Sequence, residues 1–163
     1  MLKNNMIALL MHIGLIIFST LYLVGLVSLS PFIETFITNS IVRGSLVVFW
    51  IVIYILLGAK LNIRHRRKYD FGLGSVVTII GISLWAYGLY KTQFNFGQLP
   101  EELMVYTLPV NIFISPIYQI GLLLNIEMNH ITTLFACFVP TILFGTGQRF
   151  KRGRQIRRKQ KSV

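Results

Sequence analysis

From Met6 to Ser28 the chain runs for 23 residues with no acidic or basic side chain except His12, and that stretch excludes most of the folds open to a short chain. A bilayer accepts such a run directly, provided each backbone polar group is satisfied within a helix or a closed barrel. The length favours a helix, which needs about 20 residues to cross, whereas a membrane strand needs only about 9–11. The run also exceeds the roughly 7–15 apolar residues of a signal-peptide core, and no A-x-A-like cleavage site follows it. It is therefore expected to remain as a first span over about 6–28.

Two further spans are expected. Gly44 to Ala59 is short, but Arg43 and Lys60 at its ends can snorkel to the two interfaces and extend it to about 43–60. Phe71 to Tyr90 carries Trp85, Tyr87 and Tyr90 at its far end, as an interfacial belt would, giving a span over 71–90. None of the three contains proline. Composition agrees, since a chain of 163 residues that is 54% apolar and only 13% charged lacks the polar surface of a soluble domain.

Between Leu103 and Gly147 lie two apolar runs, 103–124 and 131–147, joined by a polar link from Asn125 to His130, and charge limits how many of them cross. Lys3, the loop residues Lys60, Arg64, Arg66, Arg67 and Lys68, and eight tail residues from Arg149 to Lys161 make up 14 of the 16 lysines and arginines. The positive-inside rule puts loop and tail together on the cytoplasmic side, so the chain crosses an even number of times between them. Exactly one of the two later runs then crosses fully, and 131–147 is expected to be that one, with the reverse assignment left open. The run over 103–124 carries Pro109, Asn111, Pro116 and Gln119, which break or load a lipid-facing helix, and is expected to be re-entrant or interfacial on the outer side. The expected fold class is thus all-α transmembrane: a four-helix polytopic protein with one re-entrant or interfacial segment and both termini cytoplasmic, in a membrane of bacterial type.

The tail over 149–163 is expected to be disordered or interfacial, since it is too charged to pack. Thirteen basic residues at one surface exceed what orientation requires, and anionic lipid headgroups are the first expected partner. The contact residues would be Arg64, Arg66, Arg67 and Lys68 of the loop with Arg152, Arg154, Arg157 and Arg158 of the tail. An acidic partner, a larger membrane protein or a second copy of the chain would also fit. Phe150 is the only aromatic residue in the tail, so base stacking on nucleic acid is not indicated.

Residues that could carry chemistry are few. His12 lies about two turns into the first helix and is expected to be a neutral imidazole donating to a neighbouring helix or to water. His65 and Asp70 stand in the spacing His-x4-Asp, which resembles the motif of glycerolipid acyltransferases; the resemblance implies His65 as general base on a hydroxyl and Asp70 as its orienting partner. It covers six residues, and the family's other motifs do not accompany it. His130 and Cys137, two helical turns apart, resemble the catalytic spacing of the membrane cysteine peptidases that process staphylococcal-type autoinducing peptides, which implies a thiolate activated by imidazole. The competing expectation for Cys137 is a buried small hydrophobe. A single cysteine excludes an intrachain disulfide and any Cys-x-x-Cys arrangement. A single aspartate excludes a paired-aspartate peptidase, and His-Glu-x-x-His is missing. No cofactor or metal is implied.

The third span carries Gly74, Gly81 and Gly88 at intervals of seven, with Thr78 on the same stripe. Small residues let helices approach closely in lipid, so these four are expected to pack against another helix, within the chain's own bundle in preference to a partner. GLGS at Gly72–Ser75 is expected to be helix-end packing. As function, the sequence suggests a non-enzymatic accessory, scaffold or regulatory subunit of a membrane assembly. A small transport or permeation protein using Pro109 to Pro116 is the second class, and a lipid- or peptide-processing enzyme the third.

Overall fold

The computed structural model describes residues 2–28, 39–62, 67–96 and 100–160. Among the described residues every regular element is helical: α1 (Leu2–Ser28), α2 (Ser40–Lys60), a 3-10 turn (Arg67–Gly72), α3 (Ser75–Lys91), α4 (Glu101–Met104), a second 3-10 turn (Val105–Thr107), α5 (Leu108–Phe113), α6 (Ser115–Leu123), α7 (His130–Ala136) and α8 (Val139–Gln160). Three helical stretches are long and apolar enough to cross a membrane: α1, α2 and the run His130–Arg157 made by α7 with α8. A fourth arises if Glu101–Phe113 and Ser115–Leu123, bent by 99° to one another, count as one. α3 is apolar but has only 17 residues.

α1 is polar on its inner face. Asn5, Ala8, His12, Leu15 and Ser19 are buried at alternating spacings of three and four, one stripe of a helix, while Leu10, Ile17, Leu21 and Val24 are exposed. A soluble helix would show the opposite pattern; lipid is the solvent that accepts this one. α2 buries Val47, Trp50, Tyr54 and Gly58 in the same way.

Hydrogen bonds show which helix ends lie together. Asn4 Nδ2 donates to the Asn62 carbonyl at 2.8 Å, the Gly74 N–H donates to Asn5 Oδ1 at 2.7 Å, and Lys151 Nζ donates to the Leu61 carbonyl at 2.8 Å. The start of α1, the end of α2, the start of α3 and the later part of α8 therefore meet at one end, hereafter the basic end. At the far end, Arg43 donates from Nε and Nη2 to the Leu123 carbonyl at 2.8 and 2.6 Å, and the Trp85 indole donates to the His130 carbonyl at 2.7 Å.

The bent pair forms a V. Its tip, Phe113, lies against His12 in the interior, whereas Tyr106 lies against Gly88 and Leu123 against Arg43, both towards the far end. Proline sets the bends, since Pro109 and Pro116 each stand in the first turn of a new helix. There the missing N–H costs nothing, whereas within a continuous helix it would leave a carbonyl unpartnered.

The closest helix approach joins α2 to α8. A Cβ on Gly147 would collide with the Ile55 carbonyl and come within 2.8 Å of the Ala59 nitrogen. A Cβ on Gly58 would strike the Phe144 backbone, and one on Gly145 would lie 2.9 Å from Phe71 Cα. Only glycine fits at these three positions.

Several expectations change. Phe71 and Gly72 belong to the 3-10 turn, not to the third span, and α3 begins only after Gly74. Gly74 adopts φ 91°, a left-handed conformation that a side chain would strain. The last helix does not end near Gly147: α8 continues to Gln160, so the described tail is helical and not disordered. Its run is interrupted at Cys137–Phe138, just before Pro140, which has no N–H to continue the ladder. Arg43 donates to the Leu123 carbonyl and so caps the last turn of α6.

Candidate functional site

Two polar clusters stand out away from the basic end. The first is built on His12. Because Ile117 N–H bonds the Ile114 carbonyl, the break in the V leaves the Phe113 carbonyl to be satisfied from outside, and His12 Nε2 lies 3.0 Å from it. A carbonyl can only accept, so Nε2 carries the hydrogen. In the neutral ring Nδ1 then accepts, and the Tyr54 hydroxyl, 2.9 Å away, donates to it. One imidazole thereby ties α1, α2 and α5 together. Two helical turns along, Ser19 Oγ and Ser115 Oγ are 2.6 Å apart and Gln119 Nε2 donates to the Ser19 carbonyl at 2.5 Å. His12 thus donates to a neighbouring helix, as its place in the first run suggested.

The second cluster lines a half-open cleft of about 490 Å³ at the far end, between the α4–α5 arm, α6 and the link to α7. Thr107, Asn111, Tyr118, Glu127, His130 and Thr133 contribute polar groups, and Met104, Leu108, Val110 and Met128 contribute apolar wall. Asn129 caps α7 through a reciprocal pair with Thr132 and so fixes the start of that helix. His130, the next residue, is buried, with Nε2 3.3 Å from the Thr92 hydroxyl. Sequence reasoning singles out Asn111 and His130 separately but does not join them in one cleft, because no spacing rule connects 104–118 with 127–133.

His130 and Cys137 are not brought into contact. The Cys137 sulfur donates to the Thr133 carbonyl at 3.3 Å and is almost fully buried, while His130 bonds Thr92 two turns earlier. Asp70 is buried and paired with Arg152, Oδ1 at 2.6 Å from Nη2 and Oδ2 at 3.1 Å from Nε. His65 lies outside the described residues.

Of the small residues on the third span, Gly81 would place a Cβ 3.1 Å from Cys137 Sγ, and Gly88 one 3.1 Å from the Tyr106 carbonyl. Thr78 Oγ1 bonds Thr141 Oγ1 at 2.7 Å. Gly74 sits beside Thr141, whose hydroxyl donates to the Gly74 carbonyl at 2.7 Å. All four therefore contact α5, α7, α8 or the turns beside them in the same chain.

Of the expected surface contacts, Arg64 and Arg66 lie outside the described residues; Arg67, Lys68 and Arg158 are described in backbone only. Arg154 and Arg157 are exposed on α8, and Arg152 is committed to Asp70. Comparison with protein-family models, with curated proteins and with solved structures finds no match to this chain.

Proposed function

We propose that this chain is a non-enzymatic integral membrane protein, an accessory or regulatory subunit of a membrane assembly, that works through its basic end. The crossings are α1, α2, α3 and the α7–α8 run, with the V re-entrant from the outer side and both termini cytoplasmic. α3, about 25 Å long at 1.5 Å per residue, falls short of a hydrocarbon core of about 30 Å, and local thinning with a snorkelling Lys91 makes up the difference. The gathering of Lys3, Lys60 and the tail at one end of the bundle supports this arrangement.

The observation that carries the reading is the continuation of α8. Lys151 and Arg152 pin the helix to the end of α2 and to Asp70, after which it runs on to Gln160 with Arg154 and Arg157 exposed. A preformed helix places its charges without a large ordering cost, and each near an anionic surface contributes about 1 kcal/mol within a Debye length. The test is a spin label at Gln155 in the full chain, reconstituted in nanodiscs. The label should become immobilised when phosphatidylglycerol is added and be released by salt or by Arg154→Gln with Arg157→Gln. A label indifferent to lipid charge refutes the reading.

The V favours a second reading, a small permeation protein, since broken helices line transporter pathways and the Pro109 arm walls the cleft. Solute flux through reconstituted liposomes, abolished by an obstruction at Leu108, would establish it.

A further inference from the structure

The far-end cleft has the composition of a ligand site. Its wall contains one carboxylate, Glu127, and among the described residues no lysine or arginine. Glu127 is exposed at the mouth, and among the described residues neither its carboxylate nor the Tyr118 hydroxyl has a hydrogen-bonding partner. Glu101 and Glu102, exposed on α4 just before the lining residue Met104, add negative potential on the same side. The two cations of the far end are engaged elsewhere: Arg43 on the Leu123 carbonyl, and Lys91 over the rings of Tyr87 and Tyr106 at 6.0 Å. The same wall carries apolar surface from Met104, Leu108, Val110 and Met128, and methionine adapts to ligands of varied shape.

We propose that this cleft binds a small organic cation, an ammonium group carried on an apolar body. The charge would lie between Glu127 and the face of Tyr118, and the apolar part would rest against the methionines and Leu108. The volume falls within the range of about 300–1,000 Å³ common for small-molecule sites. The same ammonium chemistry reaches this depth from two sources, a solute on the outer side or the headgroup of a neighbouring lipid.

The experiment measures equilibrium binding of radiolabelled benzyltrimethylammonium to the full chain in nanodiscs of phosphatidylglycerol. Saturable binding is expected, with competition by unlabelled compound but not by its neutral isostere neopentylbenzene or by benzoate. Glu127→Gln, a change at an exposed position, should weaken binding roughly tenfold, while Glu101→Gln should change it much less. Leu108→Trp, half-exposed and on the wall, should abolish it by filling the space. Discs containing phosphatidylethanolamine distinguish the sources: a weaker apparent affinity assigns the ammonium to the lipid headgroup, and an unchanged one to a solute. Absence of saturable binding, equal competition by the neutral isostere, or full affinity in Glu127→Gln would each overturn the proposal.

Discussion

The two ends of this bundle are held together by different means. At the basic end α2 and α8 touch backbone to backbone through Gly58 and Gly147, Gly145 lies against Phe71 of the 3-10 turn, and side chains tie the elements across: Asp70 to Arg152, Gln148 Nε2 to the Gly58 carbonyl, Lys151 to the Leu61 carbonyl. At the far end the elements are short and broken, linked by single side chains reaching to carbonyls, and they enclose empty volume. In lipid, apolar burial does not distinguish one helix arrangement from another, so close packing and hydrogen bonds set the structure. The tightly seamed end suits a fixed platform for surface charge, and the loosely tied end suits a site that admits a ligand.

If that contrast is right, the largest effect should come from the seam. Gly147→Leu forces four heavy atoms into space already occupied by the α2 backbone and should cost about 4 kcal/mol or more, seen as loss of a monodisperse peak in detergent. Gly153→Leu, where nothing lies near, should be silent. Equal tolerance of the two would dissolve the distinction between the ends.

Next in size is His12→Leu, which strips partners from both the Phe113 carbonyl and the Tyr54 hydroxyl. At about 1–3 kcal/mol for each orphaned group it should lower the melting temperature markedly, and adding Tyr54→Phe should recover part of the loss. No recovery in the double variant would mean that the imidazole acts through packing alone.

A direct comparison of the ends follows from Asp70→Asn and Arg43→Met. Asp70→Asn leaves the Arg152 guanidinium without its counter-charge, at a cost of about 1–2 kcal/mol after discounting for the partial exposure of Arg152. Arg43→Met uncaps α6 and should cost about 1 kcal/mol. Hydrogen exchange should show the first variant loosening Arg149–Gln160 and the second loosening Ser115–Leu123. Loosening of the same segment by both would show that the ends are not independent.

The smallest expected change is Cys137→Ala. The thiol makes one weak hydrogen bond and fills space beneath Gly81, so about 1 kcal/mol of stability should be lost and any function retained. Loss of function with the fold intact would restore a nucleophilic role.

The sequence displays the parts of this fold that depend on runs and periods. The long apolar stretches, the concentration of basic charge and the proline-broken stretch over 103–124 all appear in one dimension, because hydropathy and proline act locally. The contacts that organise the bundle do not. Asp70 and Arg152 are 82 positions apart, and Arg43 and the Leu123 carbonyl 80 apart, with no spacing rule to connect them. Gly145 and Gly147 look like the unremarkable end of an apolar run, and only the approach of Ile55 and Phe71 shows why no side chain fits there. The interval of seven groups Gly74 with Gly81 and Gly88, although its left-handed φ serves the start of the helix.

The His12 cluster also bears on the order in which the protein is built. Residues 12 and 54 leave the ribosome well before Phe113, so the imidazole and its Tyr54 partner are already made when the V is added. The Phe113 carbonyl, which hydrocarbon would reject, enters a membrane where its donor is waiting. α8 is made last and closes against α2 only afterwards. A released chain truncated at Asn125 would therefore hold its V docked on His12, with Gly58 of α2 left uncovered.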